Sequence, residues 1–146
     1  LSKKSNNMEM IGRVVRETPK FVDMHWTVRL ELPKLISAAS VREAVISLLS
    51  STRMDSLDTV LVPHDAAILP QYHLEVIDAL HDMQRDGYLR SIGVEDWPLT
   101  LIKQAQQYGF NLHVHQLSGN LLLPPPRSEA VSGEIRPSEW WVNPLA

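Results

Sequence analysis

The sequence predicts an α/β fold in which parallel strands alternate with helices, and three features carry that expectation. Short apolar runs recur at residues 57–62, 89–94 and 112–117. Between them lie stretches with apolar residues at helical spacing. The links are short and punctuated by Gly or Pro. Such alternation gives a parallel sheet, because each helix supplies the crossover that a parallel strand pair requires.

Each element has its own signal. Residues 8–16 place Met8, Ile11, Val14 and Val15 at helical spacing, and Pro19 ends the run. Residues 21–32, rich in Val, Trp and Leu, predict extended chain stopped by Pro33. Ser40 and Glu43 match the S-x-x-E pattern of a capping box, which predicts a helix start at Ser40 with Val41, Val45, Leu48 and Leu49 on one face. Residues 57–62 form a short run with β-branched members, expected to be a buried strand. In residues 72–86, Val76, Ile77, Leu80 and Met83 line one side of a helix, and Gly87 stands where a left-handed C-terminal cap belongs. Residues 89–94 are the next strand. Pro98 suits a first helical position, the helix continues over 99–108 to Gly109, and 112–117 is a further strand.

After Leu123 the character changes. Residues 124–146 carry five of the ten prolines, beginning with Pro124-Pro125-Pro126, together with Trp140 and Trp141. A polyproline start lacks the N–H groups a sheet needs, so this tail is expected to run as extended chain over a surface. Paired tryptophans are rarely left in water, which makes Trp140 and Trp141 candidate docking residues, on this chain or on a partner. Two regions result: 1–123 as the α/β body and 124–146 as a Pro/Trp-rich docking tail.

Composition narrows the function classes. A chain of 146 residues is long enough to bury roughly 68–70% of its unfolded surface. At 44% hydrophobic and 21% charged it has the composition of a globular domain. The net charge is −3 with Lys and Arg scattered, so nothing points to nucleic acid, and Lys3-Lys4 reads as a solvated terminus. No apolar run approaches the roughly 20 residues of a transmembrane helix, so a soluble or peripheral protein is expected. There is no cysteine, which excludes disulfides, thiolate metal ligands and a cysteine nucleophile within these residues. The chain starts at Leu1, which is compatible with removal of an upstream segment such as a targeting peptide.

Three segments carry a family resemblance. Ser47-Leu48-Leu49, Met54-Asp55-Ser56-Leu57-Asp58 and Val60-Leu61-Val62-Pro63-His64 form the first. Gly87-Tyr88-Leu89-Arg90-Ser91-Ile92-Gly93-Val94 is the second, and His115-Gln116-Leu117-Ser118-Gly119-Asn120-Leu121-Leu122 the third. In this order and at these intervals they resemble the aldo-keto reductases, most nearly the bacterial and plastid-type members. Met8 to Gly12 and Lys20-Phe21 are similar to an earlier helix and strand of the family.

The resemblance implies part of a (β/α)8 barrel, roughly its third to sixth strands, with chemistry at the strand C-terminal ends. In the family a nicotinamide cofactor delivers hydride to a carbonyl. A Tyr donates the proton, Lys and Asp lower its pKa, and His orients the substrate. His64 stands where the family has its His, and Lys20 where it has its Lys. The Tyr position falls near Ser2, and the Asp position precedes Leu1. Gln116 matches a carboxamide-binding Gln, whereas the carboxamide-binding Ser-Asn after the second segment is replaced by Glu95-Asp96. Two carboxylates cannot donate hydrogen bonds, and they repel phosphate. The last two barrel strands, with their nicotinamide-stacking Tyr and phosphate-binding basic residues, have no counterpart in the tail. Tyr72, Tyr88 and Tyr108 stand in the wrong places to substitute.

Other candidates have plainer explanations. His113 and His115 share one face of a strand, a spacing metals use, but no third ligand is at hand and they are expected to pack against the helical layer. His64-Asp65 is a family remnant rather than a base with its orienting carboxylate. Asp96, just ahead of Pro98, is expected at a helix N-terminus. The function expected is a non-catalytic structural or accessory subunit that binds no cofactor and packs against a protein partner. The alternative is a divergent NADP(H)-dependent reductase, alone or as one portion of a split barrel. The plastid-type flavour suggests an organellar complex, and no compartment is assigned.

Overall fold

A computed structural model describes residues 3–18, 25–31, 37–118 and 138–142 of the chain. The elements in order are α1 (Lys3–Glu17), β1 (Thr27–Arg29), α2 (Ala38–Thr52), β2 (Leu57–Pro63), α3 (Pro70–Arg85), β3 (Leu89–Glu95), α4 (Leu99–Gln107), β4 (Val114–Ser118) and β5 (Ser138–Val142). The strands form one sheet in sequential order, and every adjacent pair is parallel. The α/β expectation is therefore met.

The hydrophobic core lies between one face of the sheet and the helices. Val60, Val62, Ile92 and Val94 meet Val76, Ile77, Leu80 and Met83 of α3 there, all fully buried. These α3 positions recur at three- and four-residue spacing, which is why the helix was legible in the sequence. The opposite face is arranged in layers set by strand register, as in a barrel interior. Thr27, Thr59 and Ser91 align in one layer, then Leu61, Gly93 and Val114, then Pro63, Glu95 and Gln116 towards the C-terminal ends. Gly93 leaves the room its layer needs: a Cβ there would lie 2.6 Å from Leu61 Cδ2 and 3.0 Å from Val114 Cβ.

Helix α1 crosses α2 in close contact at Gly12. A Cβ on Gly12 would stand 2.0 Å from the carbonyl oxygen of Thr52, the last residue of α2. The same oxygen accepts a 2.7 Å hydrogen bond from Arg16 Nη1 of α1. The last carbonyls of a helix have no intrahelical donor, and its C-terminus carries partial negative charge. Gly12 thus brings α1 near enough for a guanidinium one turn on to cap α2.

Three details differ from the sequence-based expectation. Helix α2 starts a turn earlier than Ser40: the N-cap is Ser37, its Oγ accepts from Ser40 N at 3.2 Å, and Ser40 Oγ accepts from Ser37 N at 3.1 Å. Ser40 thus fills the return position of the capping box, and Ala38 and Ala39, good helix formers, carry the helix back to it. Pro98 is the N-cap of α4 rather than its first residue. Four strands of the body are those expected, and among the described residues a fifth is added, because Ser138–Val142 of the tail pairs in parallel with β4. Pro137 immediately precedes this strand and Pro144 follows it, so no proline interrupts the ladder. Residues 124–137 lie outside the described residues.

Candidate functional site

The C-terminal ends of the parallel strands gather the residues with chemical potential. His64 directly follows β2, and its N–H donates to Glu95 O at 2.8 Å, continuing the β2–β3 ladder past the last paired residues. The imidazole of His64 stacks on His73 of α3, centroids 5.3 Å apart and planes at 22°. His73 in turn meets Trp97 edge-on at 5.4 Å. His73 is fully buried, and its ring is committed at both nitrogens. Nε2 accepts from Asp65 N at 3.2 Å, leaving Nδ1–H to donate to Leu69 O at 3.3 Å. Burial pushes its pKa below the ordinary 6.5; the bond to Leu69 acts upward, His64 downward and Asp65 upward. His64 therefore has a neutral ring, not a charged partner, at its face.

Glu95, the last residue of β3, is the second focus. Its carboxylate is held between two side chains that come from different strands. Arg29 of β1 pairs with Oε2, and Gln116 of β4 donates to Oε1 at 3.3 Å. The Glu95 side chain is only 14% exposed, so its charge is stabilised by these partners more than by water.

Asp96 corrects the expectation of a helix N-terminal residue. It adopts a left-handed conformation (φ 53°), which Asp tolerates better than most residues. Its carboxylate accepts from both Ser118 N and Ser118 Oγ at 2.6 Å, and its own N–H donates to Gln116 O at 2.9 Å. It is a tie between the ends of β3 and β4.

His64, Glu95 and Gln116 therefore share the C-terminal end of the sheet. Lys20 lies outside the described residues. Trp140 and Trp141 are in β5, their backbones in register with Gln116 and Leu117. Tyr88 precedes β3 and Tyr108 follows α4, both at the other end of the sheet, and Tyr72 lies in the first turn of α3. His113 ends in a structural role, its Nδ1 accepting from Ile92 N at 3.3 Å, and His115 is buried. Among the described residues no three His, Asp or Glu side chains converge on a metal-sized site. Arg29, His73 and Ser118 carried no sequence signal for the parts they play here.

A parallel sheet with its polar residues collected at the strand C-terminal ends and helices on the other face is the layout of a (β/α)8-barrel segment. The sequence profile of the Aldo/keto reductase family matches residues 3–137. The chain belongs to the aldo/keto reductase family. Solved structures agree in fold. An aldo/keto reductase of Brucella melitensis superposes with a TM-score of 0.72 at 17% identity, over 81% of this chain and 46% of that one. A Bombyx mori aldo-keto reductase in complex with NADP gives 0.63 at 21% identity, over 79% and 41%. The glycerol dehydrogenase of Gluconobacter oxydans gives 0.67 at 18%, over 82% and 39%. The chain thus spans less than half the length of these relatives. No curated protein matches it significantly. Among the described residues no helix is long and apolar enough to cross a membrane.

Proposed function

We propose that this chain is a non-catalytic, aldo-keto reductase-like structural or accessory subunit that packs against a protein partner. The observation that carries this reading is the clamp on Glu95. Family resemblance puts a nicotinamide carboxamide against Gln116 and against a donor pair at positions 95 and 96. Here Gln116 directs its amide to Glu95, Glu95 is also held by Arg29, and Asp96 is engaged with Ser118. Carboxylates accept but do not donate, so they cannot serve a carboxamide oxygen as the Ser-Asn pair does. The residues present do not fit the cofactor, and hydride transfer is not assigned to them. Partner packing draws support from the parallel sheet, whose first described strand, β1, has only three residues. Parallel sheets are ordinarily covered on both faces and closed or protected at their edges.

Titration of the chain with NADPH, followed by nucleotide fluorescence, tests the proposal. No saturable binding is expected up to about 1 mM, a threshold of about −4.1 kcal/mol. Saturable binding in the micromolar range would overturn it. That outcome would favour the second reading, a divergent NADP(H)-dependent reductase working alone or within a split barrel. His64 at the end of β2 and the NADP complex of the silkworm relative support that alternative. The two also differ on His64→Ala. The accessory reading expects any reductase activity of the host assembly to be unchanged, and the enzyme reading expects it to be lost with folding intact.

A further inference from the structure

Three histidines share an unusual duty: each accepts a hydrogen bond from a backbone N–H through a ring nitrogen. His73 Nε2 accepts from Asp65 N at 3.2 Å, in the loop after β2. His81 Nε2 accepts from Asn111 N at 3.0 Å, in the segment before β4. His113 Nδ1 accepts from Ile92 N of β3 at 3.3 Å, while His113 N donates back to Ile92 O at 2.8 Å. A nitrogen that accepts must carry a lone pair. An imidazolium has none, since both of its nitrogens are donors. Protonation of His73 or His81 sets N–H against N–H.

Their placement makes these bonds a fastening. His73 and His81 both belong to α3, eight residues and so roughly 12 Å apart along the axis. His73 joins the start of α3 to the C-terminal end of β2, and His81 joins its last turns to the approach to β4. His81 also stacks on Phe110 at 5.4 Å, in that same approach.

We propose that His73 and His81 form an acid-released clasp that holds α3 to the loop after β2 and to the approach to β4. Protonation on acidification breaks both bonds and frees both ends of the helix. The charged and titratable groups around the clasp are few. His73 faces His64 from the end of β2 and Asp65 from the next loop. His81 faces His113 from the residue before β4, and Asp78, Asp82 and Arg85 from its own helix. The aspartates favour protonation, yet burial prevails at both sites and pushes each pKa below the ordinary 6.5. The sign follows from proton uptake. Above pH 6.5 both rings are neutral folded or unfolded, and the clasp contributes in full. Below it the unfolded chain takes up protons that the folded chain refuses, so stability falls until the folded pKa values are passed.

The test is urea unfolding of the full chain from pH 7.5 to 5.5, above the ordinary carboxylate range. The unfolding constant is expected to rise as pH drops, by up to about tenfold per pH unit for each of His73 and His81. His73→Gln and His81→Gln keep an acceptor but do not titrate, and each is expected to flatten that slope by up to one proton. A flat wild-type profile, or a slope unchanged in both variants, would overturn the proposal. Should a variant not fold, ¹⁵N NMR of the wild-type rings at pH 7.5 decides. His73 and His81 are expected with the proton on Nδ1, and the opposite tautomers would defeat the clasp.

Discussion

Gly12→Ala is expected to destabilise the protein by about 2 kcal/mol or more, at the upper part of the range for overpacking a tight contact. The added methyl carbon would meet Thr52 O at 2.0 Å, Thr52 C at 2.6 Å and Thr52 Cα at 2.8 Å. All three are backbone atoms, so no side-chain rotation relieves the clash. Helix α1 must move away from α2, and Arg16 then loses its bond to the Thr52 carbonyl. The measurement is the urea midpoint of unfolding, with hydrogen exchange across α1 to locate the change. Gly87→Ala is the informative control. Nothing lies within 4 Å of a Cβ there, but its φ of 86° is unfavourable for an L residue. It should cost about 1–2 kcal/mol through backbone conformation alone, without freeing α1. A Gly12→Ala protein as stable as wild type would show that the two helices are not in register contact at this point.

How far the sequence foretold this contact illustrates where its signals stop. Gly12 was visible as part of a family-like segment, but its physical duty depends on Thr52, forty residues away. Periodicity made α3 legible because its buried positions repeat, and Gly87 and Gly109 marked helix ends because both adopt positive φ there. The cap of α2 was misplaced by one turn because Ser37 and Ser40 both carry a capping hydroxyl, and only the backbone decides between them. The site was half legible. His64 and Gln116 stand in recognisable segments, whereas the Arg29–Glu95 pair joins residues 66 apart and Asp96–Ser118 joins residues 22 apart. Such pairs come from sheet register, which no local pattern encodes. The pairing of the tail was hidden for a similar reason: proline content speaks for extended chain, as in Ser138–Val142, but not for the edge that β4 offers it.

Truncation after Leu123 is expected to have the largest effect of all. It removes β5 and leaves Val114 to Ser118 without the partner strand with which each is in register. Roughly four ladder hydrogen bonds at about 1 kcal/mol each are lost, against a total stability of about 5–15 kcal/mol for a domain. The newly exposed edge of β4 is also a template for pairing with another chain, so association should accompany the loss. Urea unfolding together with light scattering after size exclusion would show a lower midpoint and higher-order species. The docking role assigned to Trp140 and Trp141 predicts something different. If the tail serves a partner first, the shortened chain should stay monodisperse with an unchanged midpoint and fail only to assemble. Trp140→Thr with Trp141→Thr separates the two contributions, since threonine suits a strand and leaves the backbone ladder able to form. A midpoint near wild type in that variant, with assembly lost, would assign the ladder to folding and the indoles to the partner. A truncated chain that folds and assembles as the full chain does would remove the tail from both accounts.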